Sequence, residues 1–234
     1  MHRFLVPDLT HDAVALPEEE AHHAVHVLRV KAGERVVLVD GKGTVADAEI
    51  VGADKKGCTA HVHERRFIAA ERKARIHLAV APTKQIDRFE WFLEKAVEVG
   101  VDRVTPLMTA RTERTRLRTD RLLRVAVSAM KQSQRAWLPV IDEPTDLHVL
   151  LQRPLPAQRY FGWCEGTPRS FMACYAPSGD CLVLIGPEGD FTHAEAAQLT
   201  AGGFAPVGLG EARLRTETAA LAACTWMSLA QQAR

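Results

Sequence analysis

LVLIGPEGDFTHAE, residues 182–195, is the stretch that decides the fold. With Cys181 its first half forms a nearly continuous apolar run, as expected of a central parallel strand buried on both faces. Two glycines, a proline and two acids follow at the strand's end. Thr192 and Glu195 have capping-box spacing, which predicts a helix from about His193 that stops at Gly202 and Gly203. Ligands of α/β proteins bind at the carboxyl ends of such strands, so a glycine loop pinned between strand and helix is a candidate binding wall. It is no phosphate loop. The chain has no GK[ST] and no GxGxxG at a strand-to-helix turn, and Glu188 and Asp190 would repel a phosphate. A neutral or cationic ligand with a flat base, approached by glycine backbone, suits it better.

A second glycine turn comes about twenty residues later, in FAPVGLG (204–210). The Ala-rich segment after it predicts a helix beginning around Thr216 to Thr218. The two strand-end loops, GPEGD and LGEARLRTE, are therefore expected side by side, with a ligand between them.

Upstream, the chain alternates strand and helix after residue 70. RIHLAVAP precedes DRFEWFLEKAVEVG, where Asp87 and Glu90 have capping-box spacing and Gly100 sits at the helix end; VDRVTPLM, a helix TDRLLRVAVSAMKQSQR, LPVI, a short helix DLHVLLQ and the strand RYFGW follow. Strict alternation predicts a parallel α/β sheet. Residues 1–70 differ: short β-like runs, broken by turns such as GKG (41–43), predict a small barrel. One helix from Pro17 interrupts it. We place the linker at FIAAERKAR, 67–75, dividing the chain into domains 1–70 and 71–234.

Composition narrows the function classes. With 234 residues, 47% hydrophobic and a formal net charge of +1, the chain can bury a large core, and any nucleic-acid contact must come from local clusters of Arg and Lys. The five cysteines are scattered without a CxxC pair, which points to a reduced cytoplasm. The apolar run in MHRFLVPDL is far too short for a signal peptide, and nothing approaches a membrane span. His22, His23 and His26 lack the matching spacing of a metal site and read as a polar helix face, so no metal is expected. Trp91 and Phe92 read as core.

LIGPEGDF with LGEARLRTETAALAA resembles the C-terminal signature of the ribosomal small-subunit methyltransferase E family, of the SPOUT class. LEKAVEVGVDRVTPL, SAMKQSQRAWLPVI and HHAVHVLRVKAGERVVLVDGKG resemble further segments of that family, so the similarity spans nearly the whole chain. The resemblance implies an RNA-binding PUA-like β-barrel at the N-terminus and a SPOUT domain with a C-terminal trefoil knot, a rare exception to unknotted topology. It implies a cytoplasmic homodimer that moves a methyl group from S-adenosylmethionine to N3 of one uridine in small-subunit (16S) rRNA. By position, Leu184, Ile185, Gly186, Gly189, Leu209, Gly210 and Leu214 become the cofactor-binding candidates. The chain departs from the commonest family pattern at Asp190, where Gly is usual, and at Ala212 and Arg213, which leaves Arg213 and Arg215 both open as the substrate-facing arginine.

N3 of uridine carries a proton at neutral pH, so its methylation needs a proton acceptor as well as alignment. Glu217 or Glu188 is the candidate acceptor, and Arg215 a candidate for stabilising the uracil anion or gripping a phosphate. The plainer role for Glu217 is favouring the positive end of the last helix. ARTERTRLRTDR carries arginines at 111, 114, 116, 118 and 121 and reads as an RNA-contacting segment or a solvated face, with Arg29, Lys31, Arg65 and Arg66 as a second patch. Arg135 joins Arg29, Arg111, Arg114 and Arg116 as an RNA-binding candidate, although Gln132, Gln134 and Arg135 are equally placed for a helix surface or dimer contact. The alternatives are a SPOUT methyltransferase acting on another RNA or another base atom, and a non-catalytic ribosome assembly factor.

Overall fold

The computed structural model describes residues 1–54, 57–70 and 74–232. In the first part of the chain the elements are β1 (Arg3–Leu5), β2 (Ala13–Ala15), α1 (Glu18–His22), β3 (Arg35–Val39), β4 (Thr44–Asp54) and β5 (Gly57–Phe67). They form a five-stranded sheet ordered β1-β3-β4-β5-β2. β1 and β3 pair in parallel; the other neighbours are antiparallel. The β3–β4 connection is tight because the Asp40 carboxylate accepts from the amides of Lys42 and Thr44 at 2.7 and 2.9 Å. Register shifts at Asp47/Ala48 and Ile50/Gly52 bend β4. Its inward residues join Phe4, Val14, Leu38 and Val62 in one core. Each such large side chain contributes roughly 1.5–3 kcal/mol on burial.

Pro17 caps α1, and three glutamates in the first turn complement the helix dipole. The predicted single helix changes winding at His23: residues His23–Leu28 make a π turn ended by Arg29 at φ +56°, which sets Ala24 fully into the core.

The chain divides into two units, one of Met1–Glu71 with Met130–Leu138 and one of Arg72–Ala129 with Pro139–Arg234. The segment 130–138 thus joins the first unit, although the sequence reading leaves it in the second. The GKG turn is the reason: the amide of Gly43 donates to Ala136 O at 3.0 Å, and that of Leu138 to Gly41 O at 2.9 Å. Gly43 has φ +104°, and a Cβ there would lie 2.7 Å from Trp137 Cζ2, so only glycine fits. Of the linker expected at 67–75, residues 71–73 lie outside the described residues.

The second unit contains β6 (Ile76–Val80), α2 (Ile86–Val99), β7 (Arg103–Met108), α3 (Thr119–Gln132, its last turn in the first unit), β8 (Val140–Ile141), β9 (Thr145–Asp146), α4 (Leu147–Leu150), β10 (Gln158–Gly162), β11 (Arg169–Ser170), α5 (Phe171–Cys174), β12 (Cys181–Ile185), α6 (His193–Ala201), β13 (Ala205–Gly208) and α7 (Thr216–Gln232). The sheet is parallel throughout, ordered β11-β13-β10-β12-β6-β7-β8, with β9 also on β7. β12 is buried along its whole length, as its apolar run requires. Small residues on α7, Ala220, Ala223, Cys224 and Ser228, are buried, and Ser228 Oγ donates to Val99 O of α2 at 2.9 Å.

Two expectations need correction. Asp87 and Glu90 make no capping box: Gln85 is the N-cap of α2, and Glu90 instead accepts from Arg121 Nη2 at 2.7 Å. Phe92 is core, but Trp91 is 44% exposed, on the outer face of the same helix. β2, β11 and α5 are too short to carry a periodic signal and were not foreseen.

Candidate active site at three strand ends

β12 hands over to a turn that its own glycines make possible. The amide of Asp190 donates to Pro187 O at 3.0 Å with Gly189 at φ +87°, the position of a type II turn that favours glycine. Asp190 itself stands at φ +65°. Its carboxylate accepts from its neighbour Phe191's amide at 2.7 Å and from Cys164's amide at 2.9 Å. The predicted capping box forms in full, with Thr192 and Glu195 each accepting from the other's amide.

Further ties come from outside the loop. Arg111 Nη1 donates to the carbonyls of Gly189 and, at 3.3 Å, Phe191. The amide of Ala110 donates to Glu195 Oε1 at 2.8 Å. At the other side, Thr216 Oγ1 donates to Gly186 O at 3.1 Å, joining the start of α7 to the end of β12.

Above these strand ends lies a cavity of about 830 Å³, within the range of sites for small-molecule ligands and cofactors. Of the predicted cofactor residues, Ile185, Gly186, Gly189, Leu209, Gly210 and Leu214 line it. Leu184 does not: its side chain is fully buried on the core side of β12 with Phe161 and Phe191. β10 lies between β12 and β13, so the two expected loops are not on adjacent strands. The loop after β10, from Gly162 to Pro168, supplies a third wall that the sequence reading missed. Gly162 lets that wall close, since a Cβ there would meet Ile185 Cδ1 at 3.3 Å. The glycine that ends the RYFGW strand pattern was the one available signal.

Both Arg213 and Arg215 line the cavity and are exposed, so the fold admits both. Against these two guanidiniums stand four lining carboxylates, Glu165, Glu188, Asp190 and Glu211, an excess that favours a cationic ligand over a polyphosphate. Burial, reinforced by the charge of Asp190, pushes the Cys164 thiol up from its ordinary value. Glu217 is not in the cavity. It is buried at the first turn of α7 with Oε1 3.9 Å from Arg88 Nη1 of α2.

The arginine run disperses. Arg111 is committed to the glycine loop, Arg114 Nε donates to Lys84 O at 3.2 Å, Arg118 pairs with Asp120, and Arg116 is exposed. Arg29 and Arg135 belong to the first unit. Among the described residues no group of three or more His, Cys, Asp or Glu is arranged to hold a metal ion.

Comparison with known proteins agrees with this geometry. Residues 70–228 match a family model for an RNA methyltransferase domain, and residues 16–62 one for an RNA methyltransferase PUA domain. The chain is 33% identical to ribosomal RNA small subunit methyltransferase E of Mycobacterium bovis, covering 90% of this chain and 84% of that one. The crystal structure of a probable rRNA-methyltransferase from Porphyromonas gingivalis superposes with TM-score 0.89 at 42% identity, covering 99% of both chains. That of ribosomal RNA small subunit methyltransferase E from Neisseria gonorrhoeae, bound to S-adenosyl methionine, does so with TM-score 0.88 at 30% identity over 97% of this chain and 96% of that one. An all-parallel sheet whose strand-end cavity is walled by the GPEGD and LGEARLRTE loops, matched along nearly its full length by these enzymes, places the chain in the ribosomal RNA small subunit methyltransferase E family.

Proposed function

We propose that the chain transfers the methyl group of S-adenosylmethionine to N3 of one uridine in small-subunit rRNA. The observation that carries this reading is the cavity at three adjacent strand ends, floored by apolar side chains and glycine backbone and rimmed by excess carboxylate. The residues fit the cofactor. Gly210, at φ +136°, has no atom within 4 Å of the position a Cβ would take, so a backbone edge is left open to a flat base. Gly186 is closed on its other side by Phe191 and Asp190, at 3.1 and 3.2 Å from its Cβ position. Ile185, Gly186, Gly189, Leu209, Gly210 and Leu214 would hold it, and the carboxylate excess suits its sulfonium charge.

When bound, the cofactor supplies an electrophilic methyl group and its own leaving group. The protein's part is alignment and the proton. Arg215, exposed on the cavity wall, steers the uracil ring and stabilises the anion as N3 loses its proton. Glu188 is the proton acceptor in this reading, because it lines the cavity whereas Glu217 faces Arg88. Arg29, Arg114 and Arg116 contribute phosphate contacts.

The reading includes a homodimer with the C-terminal chain knotted through the cofactor loops, working in the cytoplasm. Leu229 on α7 is 54% exposed and available for a second copy. The free cysteines among the described residues suit a reducing compartment. No described helix is long and apolar enough to cross a membrane. Sedimentation at micromolar concentration checks the dimer.

Methyl-labelled S-adenosylmethionine and small ribosomal subunits from cells lacking this enzyme test the reaction. Label in 3-methyluridine at a single site is the expected result. Label in another nucleoside overturns the N3 assignment, and cofactor binding without transfer to any RNA overturns the enzymatic one.

A further inference from the structure

The first unit holds a second, smaller cavity, of about 160 Å³, lined by Arg3, Val45, Arg66, Ile68 and the segment Gln134 to Trp137. Three guanidinium side chains, of Arg3, Arg66 and Arg135, border it, and among the described residues no carboxylate lines it. Arg66 Nη1 is paired with Asp47 Oδ2 at 2.7 Å, outside the cavity. Arg3 Nη1 is buried and has no hydrogen-bond partner. An orphaned charged donor beside a like charge is costly unless an anion completes it. Burial, with the charge of Arg66 beside it, lowers the proton affinity of Arg3, and the Asp47 carboxylate offsets only part of this.

The lip of the cavity is aromatic. Trp137 is 37% exposed and Phe67 67% exposed, with ring centroids 5.9 Å apart in an edge-to-face contact. The tryptophan is fixed in place: its Nε1 donates to Ile68 O at 2.9 Å and its ring lies against Gly43. Gln134, at φ +60°, turns the chain at the end of α3 so that Arg135 and Trp137 reach the same cavity. The volume decides between ligands: at about 30 Å³ per water it holds the equivalent of roughly five waters, space for a phosphate but not for a nucleoside. A base would have to lie outside, on the exposed aromatic surface.

We propose that this cavity and its aromatic lip form a one-nucleotide subsite for single-stranded RNA, in which Arg3, Arg66 and Arg135 hold a phosphodiester and Trp137 stacks a base. The assignment rests on RNA being the substrate of the methyltransferase site, and it adds a place on the first unit where unpaired RNA is gripped. Stacking on an aromatic ring tolerates any base, so the subsite contributes affinity and register rather than sequence choice.

The test uses the full-length protein, fluorescein-labelled decauridylate and an abasic decamer of the same length, with binding read by anisotropy across a salt series. R3Q should weaken decauridylate about tenfold and reduce the slope of log K against log salt by about one. W137L should weaken decauridylate about tenfold yet leave the abasic decamer unchanged. Where R3Q lowers the thermal midpoint, R135Q repeats that arm. Folded variants that bind decauridylate as the wild type does overturn the proposal. So does inorganic phosphate that displaces the oligomer at micromolar concentration and constant ionic strength, which would mark a free-phosphate site. The methyltransferase reading fails separately: a wild type that makes no 3-methyluridine but whose RNA affinity still falls in R3Q and W137L keeps the subsite and loses the reaction.

Discussion

The hydroxyl of Thr216 donates to the carbonyl of Gly186 at 3.1 Å, in the buried ground where the last helix begins and the central strand ends. This bond holds two walls of the cavity together across 30 residues of sequence. Replacing Thr216 by Val keeps the shape and leaves the carbonyl unsatisfied, a loss of about 1–3 kcal/mol. Calorimetry should therefore show a lower thermal midpoint and roughly tenfold weaker S-adenosylmethionine binding, whereas T216S should retain both.

Arg111 bonds the carbonyls of Gly189 and Phe191, which makes it a brace for the glycine loop after β12. R111A should weaken cofactor binding by about tenfold, since hydrogen bonds to charged groups contribute about 1.5–3 kcal/mol. The salt slope of RNA binding should stay as it is. A slope reduced by about one with unchanged cofactor affinity would instead assign Arg111 to a phosphate.

Asp190 combines a left-handed backbone with two accepted hydrogen bonds. Ala at this position keeps the backbone cost of about 1–2 kcal/mol and loses both bonds. D190G removes that cost as it loses them. In urea unfolding D190A should therefore be less stable than D190G by about 1 kcal/mol.

If Glu188 accepts the N3 proton, E188Q should lower kcat by about 100-fold with little change in cofactor affinity. E217Q should leave kcat near normal and lower stability, because Glu217 is buried beside Arg88. The opposite pattern would make Glu217 the acceptor.

His77, on β6, sets a pH dependence far from the cavity. Thr105 gives its hydroxyl proton to Asp142, so His77 Nε2 donates to Thr105 Oγ1 at 2.7 Å. Burial first, then the charge of Arg103, pulls the imidazole from 6.5 to about 4. The folded state therefore binds its proton later than the unfolded one as pH falls. The stabilisation is complete above about pH 6.5 and is lost on acidification toward 4, at about 1.4 kcal/mol per unit and roughly 3 kcal/mol in all. Denaturant midpoints measured from pH 7 to 4 should show this slope, and H77Q should flatten it.

Much of the molecule is legible locally. The apolar run of β12, the Thr192–Glu195 capping box and the glycine at the end of α2 each name an element through chemistry within a few residues. The π turn at His23–Leu28 is not legible in this way, because its periodicity differs from an α-helix by one residue in a short span and is settled by seating Ala24 in the core. Glu217 sits at the helix start its sequence position suggests, but which way its carboxylate turns depends on Arg88, more than a hundred residues away.

By itself the sequence determined the two glycine-loop motifs, the alternation of strand and helix after residue 70 and the change of texture before it, since turn glycines, caps and hydrophobic period are properties of neighbouring residues. Only the tertiary structure decided that β10 separates β12 and β13 and lends the cavity its third wall, that Arg111 braces the glycine loop, and that residues 130–138 close against the GKG turn. Those outcomes rest on which distant segments become neighbours in a parallel sheet or across a turn, and local periodicity carries no record of that choice.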